Sequence, residues 1–287
     1  MADLSTGNPA VTTLDLGGDR TVRRLGFGSM RITGRGIWGD PPDLDEAIAV
    51  LRRAVELGVN FIDTADSYGP FVSERLIAKA LYPYPDDLVI ATKGGLLRTG
   101  PGQWPTDGRP QHLRAACDES LQRLRLEQIP LYQLHRPDPE VPFEDSVGML
   151  VELKREEKIR HIGLSNVTEA QLDEAMQLTP IVSVQNRYSR VDRSSESMVD
   201  RCESESIAFL PWAPVEAGKI GSDSPVARVA AAHGATPHQV ALAWLLARSP
   251  VMLPIPGTGS VAHLEENAQA VSLRLTPEEV AELSAAG

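Results

Sequence analysis

Three short apolar runs in this chain each stop at a group that cannot stay buried alone. Residues 59–62 end at Asp63, residues 88–92 at Lys93, and residues 131–134 at His135. An apolar run of this length reads as a strand covered on both faces, as in a parallel sheet. A carboxylate, an ammonium and an imidazole at the ends of such strands are costly to bury unless they find partners. If the three strands are neighbours, Asp63 and Lys93 pair, and Tyr68 and His135 stand beside them.

The rest of the chain repeats the same unit. Asp43 opens a helix with apolar positions Ile48, Leu51, Val55 and Leu57, and Gly58 ends it, since a residue without Cβ suits a left-handed cap. Helices over 73–81, 112–126 and 144–158 precede strands over 88–92, 131–134 and 159–164, the last ending in Ser165-Asn166. Thr168 with Gln171 forms a capping box for a helix through Leu178, and a strand over 181–184 then ends in Gln185-Asn186. A helix over 195–205 leads to a strand over 207–210 and Trp212. Thr236-Pro237 opens a helix to Arg248, and a strand over 251–255 runs into Gly257-Thr258-Gly259-Ser260. With residues 24–28 there are eight strands.

Strands alternating with helices imply a parallel sheet covered by helices. Eight units, with polar or aromatic residues at nearly every strand end, favour a (β/α)8 TIM barrel over an open sheet. The 287 residues, 42% of them hydrophobic, suit a single barrel domain over 1–287, with residues 1–10 expected to be flexible. Residues 11–16 and 21–25 around Gly17-Gly18-Asp19 read as an N-terminal β-hairpin. Extra helices are expected near 222–233 and from Thr276. The stretch Leu25-Gly26-Phe27-Gly28-Ser29-Met30 lacks the third glycine and the following helix of a Rossmann fingerprint.

The net charge of -11, with Lys and Arg scattered, argues against a nucleic-acid partner. No apolar run approaches the roughly 20 residues of a membrane helix, and no secretory leader is visible, so a cytoplasmic protein is expected. Cys117 and Cys202 lie far apart without metal-type spacing, which favours free thiols and no metal.

The run Phe61-Ile62-Asp63-Thr64-Ala65-Asp66-Ser67-Tyr68-Gly69 resembles the signature of the aldo-keto reductase family, and Lys93 and His135 fall in order to complete its tetrad. The resemblance implies carbonyl reduction with Tyr68 as general acid. Lys93 would lower the phenol's pKa from its ordinary value near 10, Asp63 would keep the ammonium charged, and His135 would orient the carbonyl. It also implies that the hairpin closes the bottom of the barrel.

On the cofactor side, the resemblance sets Gly28, Ser29, Met30 and Asp63 against the nicotinamide end. Ser165, Asn166 and Gln185 would hold the carboxamide, with Trp212 stacked on the ring. Residues 213–218, beginning Ala213-Pro214-Val215, would follow the pyrophosphate, and Glu266-Asn267 would meet the adenine. Family members that bind NADPH often carry a Lys and an Arg where this chain has Gly257 and His263. The start of a helix at Gly257-Thr258-Gly259-Ser260 can instead cradle a phosphate, so NADPH is expected ahead of NADH.

The long loop 94–104 is a lid candidate. Trp38 and Trp104 would line the substrate pocket with Tyr68 and His135, although Trp104 could equally pin the loop. This loop resembles that of bacterial pyridoxal reductase-like members, which makes pyridoxal a candidate among small carbonyl substrates. Two other readings stay open at this point: a Schiff-base aldolase using Lys93, and a cofactor-sensing regulatory subunit.

Overall fold

A computed structural model describes residues 13–215 and 224–285. Four sequence expectations lie wholly or partly outside the described residues: the flexible start 1–10, residues 11–12 of the hairpin, 216–218 of the pyrophosphate segment, and 222–223 of the extra helix.

The first helix shows why these segments fold as they do. In α1 (Leu44–Glu56) the Asp43 carboxylate accepts from Glu46 N at 2.9 Å, and Asp45 and Glu46 add negative charge to the first turn. Ala47, Val50, Leu51 and Ala54 fall on one face and are buried. Gly58, at φ +91°, then turns the chain toward the sheet. The expected capping box of Thr168 with Gln171 forms before α5 (Glu169–Leu178), and the structure adds a second, Thr236 with Gln239, before α8 (Pro237–Arg248). The other helices are α2 (Val72–Leu81), α3 (Pro110–Leu124), α4 (Phe143–Arg155), α6 (Glu196–Glu205), α7 (Pro225–His233), α9 (Val261–Gln269) and α10 (Pro277–Ala285).

β1 (Thr13–Leu16) and β2 (Arg20–Arg23) form the expected antiparallel hairpin. The remaining strands are β3 (Phe27–Gly28), β4 (Phe61–Asp63), β5 (Val89–Gly94), β6 (Ile129–Leu134), β7 (Ile159–Ser165), β8 (Ile181–Gln185) and β9 (Ala208–Phe209). They make one curled parallel sheet of seven strands in chain order.

The eighth strand expected over 251–255 is not a regular strand. Val251 O accepts from Phe209 N at 2.9 Å and Leu253 N donates to Phe209 O at 2.8 Å, which ties the segment to β9. On its other side Pro254 O accepts from Gly26 N (2.9 Å) and Pro256 O from Gly28 N (3.4 Å). The two residues that face β3 are thus prolines, which accept but have no N–H to return. The ladder is one-sided there, and a regular strand does not form.

Side chains alternate across the strands and sort into layers. Outward residues such as Ile62, Ile90, Ile162 and Leu164 pack under the helices. Inside, the N-terminal half is apolar: Phe61, Val89, Ala91, Leu131 and Leu253 meet Leu16 and Val22 of the hairpin, all buried. Each Val, Leu or Phe among them contributes roughly 1.5–3 kcal/mol of transfer free energy. The hairpin therefore plugs this end, as the resemblance implied. His161 and Arg160 bond to Asp19 in its turn, and a Cβ on Gly17 would lie 2.3 Å from the His161 ring. The C-terminal half of the interior is polar, and the candidate site is there.

Among the described residues no helix is long and apolar enough to cross a membrane, and no His, Cys, Asp and Glu cluster is arranged to hold a metal. Cys117 and Cys202 are buried free thiols.

Candidate active site

The parallel register of β4, β5 and β6 brings the three strand-end groups together. Lys93 Nζ donates to Asp63 Oδ2 at 2.7 Å, to Thr64 O at 2.9 Å and to Tyr68 Oη at 3.4 Å. Asp63 Oδ1 accepts from Gln185 Nε2 (2.8 Å) and Gln133 Nε2 (3.2 Å). All five side chains are buried. A buried ion pair survives only when its remaining hydrogen-bonding capacity is filled, and the two amides do that for the carboxylate. Gln133 is missing from the sequence reading. Its signal was a polar residue at an inward position of an otherwise apolar strand.

Tyr68 stands on the turn after β4, edge-on to His135 with ring centroids 5.9 Å apart. His135 is fixed by its own N–H, which donates to Gly94 O at 2.9 Å, and its Nδ1 lies 3.4 Å from Ser67 Oγ. With Nδ1 accepting from that hydroxyl, Nε2 carries the proton.

Burial alone would push the Lys93 ammonium down, but Asp63 and Tyr68 outweigh it and hold its pKa above the ordinary value. Burial pushes the Tyr68 phenol up; Lys93 pulls the other way and does not overcome it. Lys93 thus acts in the expected direction, but burial sets the net shift, and Tyr68 keeps its proton at neutral pH. Burial, then repulsion from Lys93 and Arg136, hold His135 well below the ordinary imidazole range, so it is neutral.

Asp63, Tyr68 and His135 form the floor of a cavity of about 540 Å³ at the C-terminal ends of the strands, with Lys93 fully buried beneath them. Gly28, Met30, Ser165, Asn166 and Gln185 reach its wall, as do Trp212, Ala213, Pro214, Val215, Gly257 and Trp104. Asn166, at φ +57°, donates to His135 O and accepts from Trp212 Nε1 at 3.1 Å. Ala213, at φ +53°, is also in the left-handed region, a strain found where a site must be pre-shaped. An amide and a hydroxyl beside an indole face fit a flat ring bearing a carboxamide. Ser165, Asn166, Gln185 and Trp212 are the residues that would hold a nicotinamide.

Other expected contacts lie elsewhere. Ser29 is buried behind the wall, its hydroxyl donating to Asp63 O at 2.9 Å. Thr258 is buried and accepts from Ser260 N through its Oγ1 at 3.1 Å. Gly259 lines a second cavity of about 610 Å³. On α9, His263 is exposed, Asn267 is half-buried, and Glu266 Oε1 accepts from Thr236 Oγ1 at 2.6 Å. Trp38 lies behind Arg98, not on the cavity wall: the Arg98 guanidinium sits 3.6 Å from the Trp104 ring centroid and 5.5 Å from that of Trp38. Arg98 also donates to Ile37 O and Ser67 O, so it staples loop 94–104 to the turn that carries Tyr68. Trp104 therefore both pins the loop and faces the cavity.

The glycine-rich helix start differs in detail from the expected cradle. A Cβ on Gly257 would lie 2.6 Å from Gly28 O, so the backbones approach too closely for a Lys there. That same Cβ position is 3.6 Å from Arg31 Cγ, and Arg31 lines both cavities. Glu46 already occupies part of the helix start: its Oε1 accepts from Val261 N at 2.9 Å.

The sequence profile of the Aldo/keto reductase family matches residues 24–287. An uncharacterized oxidoreductase of Schizosaccharomyces pombe is 49% identical over 271 residues, 94% of this chain and 88% of the relative. Pyridoxine 4-dehydrogenase of Escherichia coli is 44% identical over 268 residues, 91% of this chain and 93% of that protein. Among solved structures, the thermostable aldo-keto reductase Tm1743 with the inhibitor epalrestat superposes with a TM-score of 0.86 at 32% identity, covering 96% of this chain and 99% of that one. An aldo/keto reductase from Klebsiella pneumoniae with NADP and acetate gives 0.82 at 26% identity, covering 96% and 94%.

Proposed function

Because the chain belongs to the aldo/keto reductase family, and is thus an NAD(P)H-dependent oxidoreductase of small carbonyl compounds, we propose that it reduces aldehydes or ketones to alcohols with Tyr68 as the general acid. The observation that carries this reading is a protonated phenol 3.4 Å from a buried ammonium, itself 2.7 Å from a carboxylate, on the floor of a large cavity.

When bound, NADPH supplies a hydride to the carbonyl carbon. His135 donates from Nε2 to the carbonyl oxygen and Tyr68 donates beside it, so both polarise the bond before transfer. As the carbonyl electron pair moves onto oxygen, that oxygen takes the Tyr68 proton. The Lys93 ammonium then steadies the phenolate until a proton returns from water. Asp63 keeps Lys93 charged throughout. Aldehyde or ketone, NADPH and one proton give alcohol and NADP⁺.

The same arrangement disfavours a Schiff-base aldolase. A lysine held above its ordinary pKa by Asp63 and Tyr68 stays protonated and is a poor nucleophile. NADPH is preferred over NADH on the strength of Arg31, which approaches the place where Gly257 leaves no room for a lysine, and of the Gly257–Ser260 helix start. The (β/α)8 barrel belongs to this reading, with the proline-bearing segment 251–256 as its eighth position; the hydrogen bonds of that segment to both β9 and β3 support it. Pyridoxal is the substrate to try first, supported by the 44% identity to pyridoxine 4-dehydrogenase.

Titration of the protein with NADPH and NADH, followed through tryptophan fluorescence, tests cofactor binding. Oxidation of the bound form by 4-nitrobenzaldehyde and by pyridoxal tests the chemistry. Tight NADPH binding with turnover is expected. Binding without turnover of any aldehyde would move the regulatory reading ahead, and binding of neither nucleotide would overturn the proposal.

A further inference from the structure

We infer that the carbonyl substrate carries an anionic group, a carboxylate or a phosphate, which Arg136 holds; this rests on the reductase reading. The net charge is -11, with 39 acidic side chains, and most guanidinium groups found a carboxylate. Arg109, Arg114, Arg123 and Arg248 are examples. The side chains of Arg31, Arg35 and Arg136 make no hydrogen bond, ion pair or ring contact among the described residues, and all of them line the two cavities.

Asp138, Asp107 and Asp63 are all engaged by groups other than Arg136. Asp138, two residues on, accepts from Gly108 N and Glu140 N. Asp107 is bonded to Arg109, and Asp63, the carboxylate on the wall of the 540 Å³ cavity, is paired with Lys93. That wall is therefore electropositive in an acidic protein, an arrangement that favours anionic ligands.

The two free cations of this cavity serve different ends of it. Arg31 follows β3 and packs toward Gly257, on the side proposed for the dinucleotide phosphates. Arg136 follows β6, with β4 and β5 between, directly after the imidazole that orients the carbonyl. On its side of the cavity stand Leu96 and Trp104 from the loop after β5. A carbonyl oxygen set between Tyr68 and His135 puts the rest of the substrate against that loop and Arg136. The guanidinium offers a planar fork of donors that matches a carboxylate or a phosphate.

The test compares anionic with neutral aldehydes of similar size: 4-carboxybenzaldehyde with 4-nitrobenzaldehyde, and pyridoxal 5′-phosphate with pyridoxal. The ratio of kcat/KM within each pair is measured for the wild type, Arg136→Gln and Arg136→Lys. The wild type is expected to favour the anionic member. Arg136→Gln is expected to lower the ratio by about ten- to a hundredfold, mainly through KM, as a charge-assisted hydrogen bond implies. Arg136→Lys should retain part of the preference, and high salt should erode it. A drop confined to one pair tells a carboxylate from a phosphate.

Equal effects on both members of both pairs, or no anionic preference in the wild type, would overturn the inference. So would a variant whose NADPH affinity falls while its aldehyde selectivity stands. Titration with benzoate, which cannot be reduced, gives a readout apart from turnover. Weaker benzoate binding by Arg136→Gln supports the anion site, and unchanged binding overturns it. If no aldehyde reacts at all, the reductase reading fails, and benzoate still judges Arg136 separately.

Discussion

The two ends of the cleft are built on opposite principles. At the catalytic floor every polar atom of the Asp63–Lys93 pair has its partner: the ammonium meets a carboxylate, a carbonyl and a phenol, and the carboxylate also receives two amides. At the Gly257 end the charges are loosely placed. Arg31 is unpaired, Glu46 sits on the first N–H of α9, and close backbone approach keeps a lysine out. A saturated buried network leaves no slack for substitution, whereas an open, partly balanced one can be tuned without disturbing the fold. Changes at the floor should therefore cost both stability and chemistry, and changes at the Gly257 end should alter cofactor affinity alone.

Lys93→Met is the harshest test of that contrast. It strands Asp63, buried, beside two amides, a loss of about 3–5 kcal/mol when one partner of a buried pair is removed. Urea unfolding should show it directly, and reductase turnover should vanish. The double variant Asp63→Asn, Lys93→Met should recover most of the stability and none of the turnover. If the single variant is as stable as the wild type, the floor is not the saturated network described above.

Tyr68→Phe separates chemistry from structure on the same floor. Loss of the proton donor should reduce kcat by about 10²–10⁴-fold, with NADPH affinity and unfolding midpoint nearly kept. The pH profile sharpens the point. A phenol held above its ordinary value of 10.0 stays protonated through neutral pH, so reduction should fall only in strong alkali. A lowered phenol would instead show that fall near neutrality. His135 adds a stability term of known sign. Its folded pKa lies well below 6.5, so below about that pH the unfolded chain takes up a proton that the fold resists. Stability should fall as pH drops from 6.5, and less steeply in His135→Gln, as urea midpoints at pH 7.5 and 5.5 would show.

What could be read from the chain follows the same division. Asp63, Lys93 and His135 were legible because each interrupts an apolar run, and a run of one residue type is a local pattern. The capping box at Thr168 and the helix start at Thr236-Pro237 are local too. Arg31 and Glu46 were not legible, because their roles depend on neighbours brought from the other end of the chain; Glu46 and Val261 are 215 residues apart. The last strand looked regular because Val251, Leu253 and Ile255 alternate as a strand should. The intervening Pro254 and Pro256 face β3, and only the sheet shows which neighbour loses its donors. The net direction of the Tyr68 shift was not legible for a related reason. The attraction of Lys93 is visible in a motif, while the desolvation that outweighs it depends on burial by the whole fold.

At the Gly257 end the expected effects are smaller and touch only the nucleotide. Arg31→Gln should weaken NADPH binding by about tenfold with little change in the unfolding midpoint, since the side chain has no partner to lose. Equal weakening toward NADH would assign Arg31 to the pyrophosphate, and a selective loss for NADPH to the 2′-phosphate. Glu46→Gln is the finest probe, because it removes a negative charge from the helix start while leaving an oxygen to accept from Val261 N. A phosphate brought to residues 257–260 would meet the Glu46 carboxylate as a like charge, which helix-end electrostatics puts at a few-fold in affinity. NADPH should bind about two- to fivefold more tightly to the variant and NADH about as before, by fluorescence titration at low salt. Tighter binding of both nucleotides would place Glu46 near the pyrophosphate instead. No change in either would mean that the helix start meets no phosphate and that Arg31 carries the selectivity by itself.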